Sequence, residues 1–117
     1  MKTKERIIKL FESIDKNDVG GFLDFLTDDV HFKFGNQDPV DGKENLRKEL
    51  NDFYKTIKSI SNDILNVWEQ EEVIICRGVV TYTRHDDSIL DVPFVNIFKM
   101  KQNLIKEYLI YADISSL

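Results

Sequence analysis

Apolar residues recur mainly every three to four positions in the first half of the chain and mainly every two in the second half. Ile7, Leu10, Phe11 and Ile14 form a stripe that predicts a first helix, capped by Thr3 and broken at Asp15-Lys16-Asn17. Val19, Phe22, Leu23 and Leu26 predict a shorter second helix, capped by Asp18 and closed by Thr27-Asp28-Asp29. Val30 to Phe34 alternates apolar and polar, which predicts a strand with one buried face. Gly35 to Gly42 is dense in turn formers, and from Lys43 a third helix buries Leu46, Leu50, Phe53, Tyr54 and Ile57.

The second half reads as a four-strand meander. Ile60 to Trp68 alternates, with Ile64, Asn66 and Trp68 on one side. Gln70-Glu71-Glu72 turns the chain into the β-branched run Val73 to Arg84. His85 to Ser88 is the next turn, and Ile89 to Met100 is a strand in which Pro93 predicts a bulge or an edge position. Lys101 to Asn103 leads to a last strand, Leu104 to Ile114. Helices gathered on one face of a mostly antiparallel sheet make an α+β fold.

The 117 residues form one domain, 1–117, with no linker, repeat or low-complexity segment. With 21 acidic against 16 basic residues the net charge is −5, which argues against a nucleic-acid groove or an anionic membrane surface. No apolar run approaches the roughly 20 residues of a membrane span. The start, MKTKERIIKLFE, mixes charges among its apolar residues and does not read as a secretory signal. A single cysteine, Cys76, excludes an internal disulfide and fits a cytoplasmic setting.

The stretches FLTDDVHFKF, PVDGKENLRKELNDFY, ILNVW, VTYTR leading into VPFVNIFKM, and LIKEYLIYADIS follow in a telling order. Together they resemble the SnoaL-like or ketosteroid-isomerase-like branch of the nuclear transport factor 2-like superfamily, over nearly the whole chain. The resemblance implies a curved sheet wrapped against three helices into a cone, with a ligand pocket at the open end and a convex face that often forms a homodimer. The fold hosts isomerases, cyclases, epoxide hydrolases and non-enzymes, so it implies a container more than a reaction.

Set against the steroid isomerases, the general base falls at Phe34, the helix tyrosine at Leu10 or Phe11, and the oxyanion acid near Val95 or Asn96. An apolar ring cannot abstract a proton, so that activity is rejected. Set against the limonene-epoxide hydrolases, Arg77 and Asp113 match an arginine and an aspartate. The first aspartate is Val79, and the water-holding pair is Phe32 and Phe34. The polyketide cyclases use one acid/base aspartate near the end of the last strand, where Asp113 stands. In an apolar cone burial would raise its pKa, and a neighbouring Arg77 would lower it.

Asp113 and Arg77 are therefore the candidate catalytic pair. If they point inward, period two carries Leu109, Tyr111, Val79 and Thr81 inward with them. Phe32, Phe34, Val92, Phe94 and Asn96 are expected to line the same chamber, and Trp68 and Tyr82 face either the pocket or a dimer interface. His31 and His85 read as surface residues, Cys76 as buried, and Asp86, Asp87 and Asp91 as a solvated hairpin tip. No phosphate loop or metal-ligand spacing is present, so neither metal nor cofactor is expected. The leading expectation is a pocket protein for a small hydrophobic molecule. An acid/base enzyme (cyclase-, isomerase- or hydrolase-like) using Asp113 on a cyclic substrate comes next, and a homodimeric association domain third.

Overall fold

The computed structural model describes residues 2–117. Three helices, α1 (Thr3–Asp15), α2 (Val19–Leu23) and α3 (Lys43–Lys55), pack on one face of a six-stranded sheet. The strands are β1 (Leu26–Phe34), β2 (Val40–Asp41), β3 (Ser59–Gln70), β4 (Val73–Thr83), β5 (Ile89–Lys101) and β6 (Leu104–Tyr111). Their order across the sheet is β2-β1-β6-β5-β4-β3. Only β1 and β6 run parallel, and the three helices sit between or before strands in the order expected of this α+β architecture.

The helices form for the reasons the pattern gave. Ile7, Leu10 and Phe11 on α1 lie one turn apart and are all buried against the sheet. Asp18 caps α2 by accepting the Gly21 N–H at 3.0 Å. Thr3 is not a cap: Lys2 holds that position without a side-chain bond, and the Thr3 hydroxyl donates to a Glu69 carboxylate oxygen at 2.8 Å. The second helix ends at Leu23, so Leu26 belongs to β1, where it is fully buried opposite Ile105. Asp28 and Asp29 lie in an irregular stretch of β1, which advances from Leu26 to His31 while β6 advances only from Ile105 to Glu107. The turn from Gly35 to Gly42 contains the two-residue β2, which pairs His31 with Asp41 and Phe32 with Val40.

Two single-residue bulges set which side chains face the helices. In β3, Ile64 pairs with Gly78 and Asn66 with Arg77, leaving Leu65 as the extra residue. In β6, Ile105 pairs with Met100 and Glu107 with Lys99, leaving Lys106 extra. A bulge adds a residue to one strand only, so it reverses the in–out phase beyond it and bends the strand. Pro93 creates no bulge: β5 stays in register with β4 through the Val79–Pro93 pair. Its pairing with β6 begins only at Val95, so Pro93 has a single neighbouring strand and its missing N–H interrupts no ladder on the other side.

The solid core lies at one end, where Leu10, Leu26, Cys76, Phe98 and Ile105 are sealed between α1 and the sheet. Toward the other end the helices and the curved sheet diverge, and the interior is hollow.

Candidate functional site

The hollow end is a cavity of about 200 Å³. It exceeds the ~150 Å³ apolar cavity that admits a benzene ring. Strands β1, β3, β4, β5 and β6 build the sheet wall, with Phe32, Asn62, Val80, Phe94, Asn96, Tyr108 and Ile110 among its residues. The helices supply Phe11 and Ile14 from α1, Phe22 from α2, and Leu46, Leu50, Phe53 and Tyr54 from α3. The aromatic rings support one another. Phe11 stacks on Phe94 at 5.7 Å, Phe32 tilts against Tyr108 at 5.2 Å, and Phe53 meets Tyr82 edge-on at 6.1 Å.

Polar groups in this chamber are few. The Tyr54 hydroxyl donates to the Ile14 carbonyl at 2.6 Å. Burial holds the three lining phenols in their neutral form: Tyr54 and Tyr108 are pushed well up, and Tyr82 to about 12. Asn62 lines the wall on β3 and is tied to the end of α1. Its backbone N–H and its side-chain amide donate to the two Asp15 carboxylate oxygens at 3.1 and 2.7 Å. Desolvation raises the Asp15 carboxyl, and the two Asn62 hydrogen bonds oppose that rise without cancelling it. The acids in the lining, Asp38 and Glu49, are exposed at the mouth.

The sequence-predicted residues divide between the two faces of the sheet. Phe32, Phe34, Phe94 and Asn96 line the cavity, and Val92 is buried on the same face of β5 just outside the lining. Arg77, Thr81, Trp68, Tyr111 and Asp113 do not reach it.

The expectation of an inward Arg77–Asp113 pair is corrected. On β4 the inward set is Ile74, Cys76, Gly78, Val80 and Tyr82, which turns Arg77, Val79 and Thr81 outward. Arg77 Nε donates to Asn66 Oδ1 at 2.7 Å, and the Thr81 hydroxyl donates to Asp91 at 2.6 Å, both on the outer face. Beyond the β6 bulge the inward residues are Tyr108, Ile110 and Ala112, so Tyr111 is 56% exposed and Asp113 stands in solvent. Asp113 accepts the Ser115 N–H at 2.9 Å, and its bonding to Ser115 holds its carboxyl below the usual range. The bulge at Leu65 likewise places Asn66 and Trp68 outside and Val67 inside. Trp68 is 50% exposed.

Sequence reasoning missed Tyr54, Asn62 and Tyr108 as cavity residues and left Tyr82 undecided. The usable signal was Arg77 itself. A lone guanidinium in a β-branched strand belongs on the solvent side, and that choice alone puts Cys76, Val80 and Tyr82 inside. Among the described residues no group of three or more His, Cys, Asp or Glu is placed to hold a metal ion, and no helix is long and apolar enough to cross a membrane.

A hollow cone of this construction is shared with a known family. The profile of the SnoaL-like domain matches residues 7–108, and the chain belongs to that family. Its fold is also that of solved nuclear transport factor 2-like proteins. One, a protein of unknown function from Burkholderia pseudomallei K96243, superposes with a TM-score of 0.89 at 14% identity, covering 99% of this chain and 95% of that one. A protein with a ketosteroid-isomerase-like fold from Catenulispora acidiphila DSM 44928, solved in complex with trimethylamine, gives 0.88 at 12% identity over 98% and 90%. A candidate SnoaL-like polyketide cyclase from Jannaschia sp. CCS1 gives 0.82 at 15% identity over 96% and 85%. At these identities the likeness is one of fold. No curated protein matches the sequence.

Proposed function

We propose that this protein binds a small hydrophobic molecule in the aromatic cavity between its helices and its sheet. The observation that carries the reading is the cavity itself: about 200 Å³, walled by rings from both layers. Small-molecule sites are concave and mostly apolar, with a few placed polar groups. Binding is favoured over acid/base catalysis because the carboxylates of the lining, Asp38 and Glu49, stand only at its mouth, and Asp113 lies outside. The trimethylamine complex of a protein with the same fold lends support to a small organic occupant. The free thiol of Cys76, buried and pushed up to about 12, is consistent with a reducing cytoplasmic setting.

Native mass spectrometry of freshly purified protein tests the proposal. We expect an additional small mass that organic extraction removes, or, in the extracted protein, uptake of the apolar probe indane. Ala112→Trp, which fills the cavity from the residue just after β6, should abolish both. A protein that carries no extra mass and takes up no indane would overturn the reading.

The outer sheet face supports a second role as a homodimer contact. Trp68, Ile75, Ile97 and Leu109 stand in one row across β3, β4, β5 and β6. Apolar rows of this kind on an uncovered sheet face are characteristic of interfaces.

A further inference from the structure

The cavity has a floor, and one residue marks it. Along β5 the inward side chains are Phe94, Asn96 and Phe98. The first two line the cavity, and Phe98 lies in the solid core beneath. The cross-strand neighbours agree: Asn96 pairs with Cys76, which is core, and with Ile110, which is cavity wall. Asn96 is 2% exposed, and its side-chain oxygen Oδ1 has no hydrogen-bond partner among the described residues. A buried amide oxygen left unpaired is costly, and folded proteins meet that cost with a protein, water or ligand partner, so a group that replaces water on Asn96 must supply its own hydrogen bond.

Charge narrows what that partner is. No lysine, arginine or histidine lines the cavity, and its acids, Asp38 and Glu49, stand exposed at the mouth. An anion reaching Asn96 would be desolvated with no counter-charge, past two carboxylates of its own sign. A cation would pass the mouth but would lose its hydration at a floor that holds no carboxylate. The ring faces return only a small part of that loss. A neutral group avoids both costs. A hydroxyl donates and accepts, so it satisfies the amide from either end.

We propose that the ligand is an uncharged apolar ring compound bearing a hydroxyl group, inserted ring-first among the phenylalanines with its hydroxyl on the Asn96 amide. This rests on the binding reading above and adds the ligand's chemical class. Asn96 then acts as the specificity-determining residue, and the rest of the lining supplies shape and apolar contact.

The test uses four probes of one shape: indane, indanol, aminoindane as its ammonium ion, and indane carboxylate. Binding to the extracted full chain is measured by calorimetry at neutral pH. We expect indanol to bind about tenfold tighter than indane, the worth of one good buried hydrogen bond. Both ions should bind more weakly than indane. In Asn96→Leu the indanol preference should vanish while indane binds at least as well. The variant should also melt higher, because the orphaned oxygen is gone. Asn96→Ala provides the same comparison should leucine disturb the floor. Indane binding without an indanol preference, or a preference that survives both substitutions, overturns this inference and leaves the binding reading intact. Carboxylate or ammonium binding as tight as indanol overturns it equally. Failure of every probe to bind overturns this inference, and overturns the binding reading with it where the purified protein also carries no extra mass.

Discussion

Asp15 shows how one side chain joins two layers at an electrostatic cost. Its carboxylate takes two hydrogen bonds from Asn62 and so ties the end of α1 to β3 beside the cavity. Partial burial nevertheless raises its pKa above 3.8, and the neighbouring Glu12 adds to the rise. The folded state therefore holds the Asp15 proton more tightly than the unfolded state does. Its contribution to stability is complete below the ordinary carboxylate pKa and is lost as pH rises through the raised one. Asp15→Asn removes that titration while keeping an oxygen that can accept the Asn62 N–H. The melting temperature of the variant relative to wild type should climb through the acid range and level off toward neutrality. A difference that is flat with pH would assign Asp15 no such role. None of this was legible in the sequence, where Asp15 read only as a helix breaker, because its partner lies 47 positions away.

At the scale of the element, the decisive features are single extra residues. Element order and type were readable because α1, α3 and the four long strands carry strong periodic patterns. The facing of β3 and β6 was not, since Leu65 and Lys106 each reverse a strand's phase and neither differs in chemistry from a regular strand residue. The face of β4 was marked by Arg77 but masked by Val73, Ile75 and Val79, which make most of its outer side apolar too. The β3 bulge also depends on a glycine in the facing strand. Gly78 sits opposite Ile64, and a Cβ there would lie 2.2 Å from the Asp63 carbonyl oxygen and 3.0 Å from the Phe94 ring. The backbone contact cannot be relieved by a rotamer change. Gly78→Ala should therefore cost about 2 kcal/mol, in the range of core overpacking, and displace a ring of the cavity wall. Urea unfolding measures the cost, and a loss below about 0.5 kcal/mol would mean that β3 moves aside freely.

The whole molecule is a sheet with two apolar faces, one covered by helices and the other open. Thr81 and Tyr111, expected to meet a ligand, stand instead on the open face with Arg77, and Trp68, left open between pocket and interface, stands there too. If two copies pair through this face, sedimentation at tens of micromolar should give about twice 13.7 kDa, and Ile97→Glu, at the middle of the apolar row, should return a monomer. A wild-type monomer at that concentration would remove the dimer from the proposal. The sequence by itself determined the class of fold, the helices and strands, and the presence of an aromatic interior, because each follows from local periodicity and composition. Which groups line the hollow was decided only by tertiary structure. Strand phase depends on pairing with a neighbour, and a residue's access to the cavity depends on where helices and sheet part. Asn96 reached the floor and Asp113 the solvent for that reason, although both had read as inward-facing.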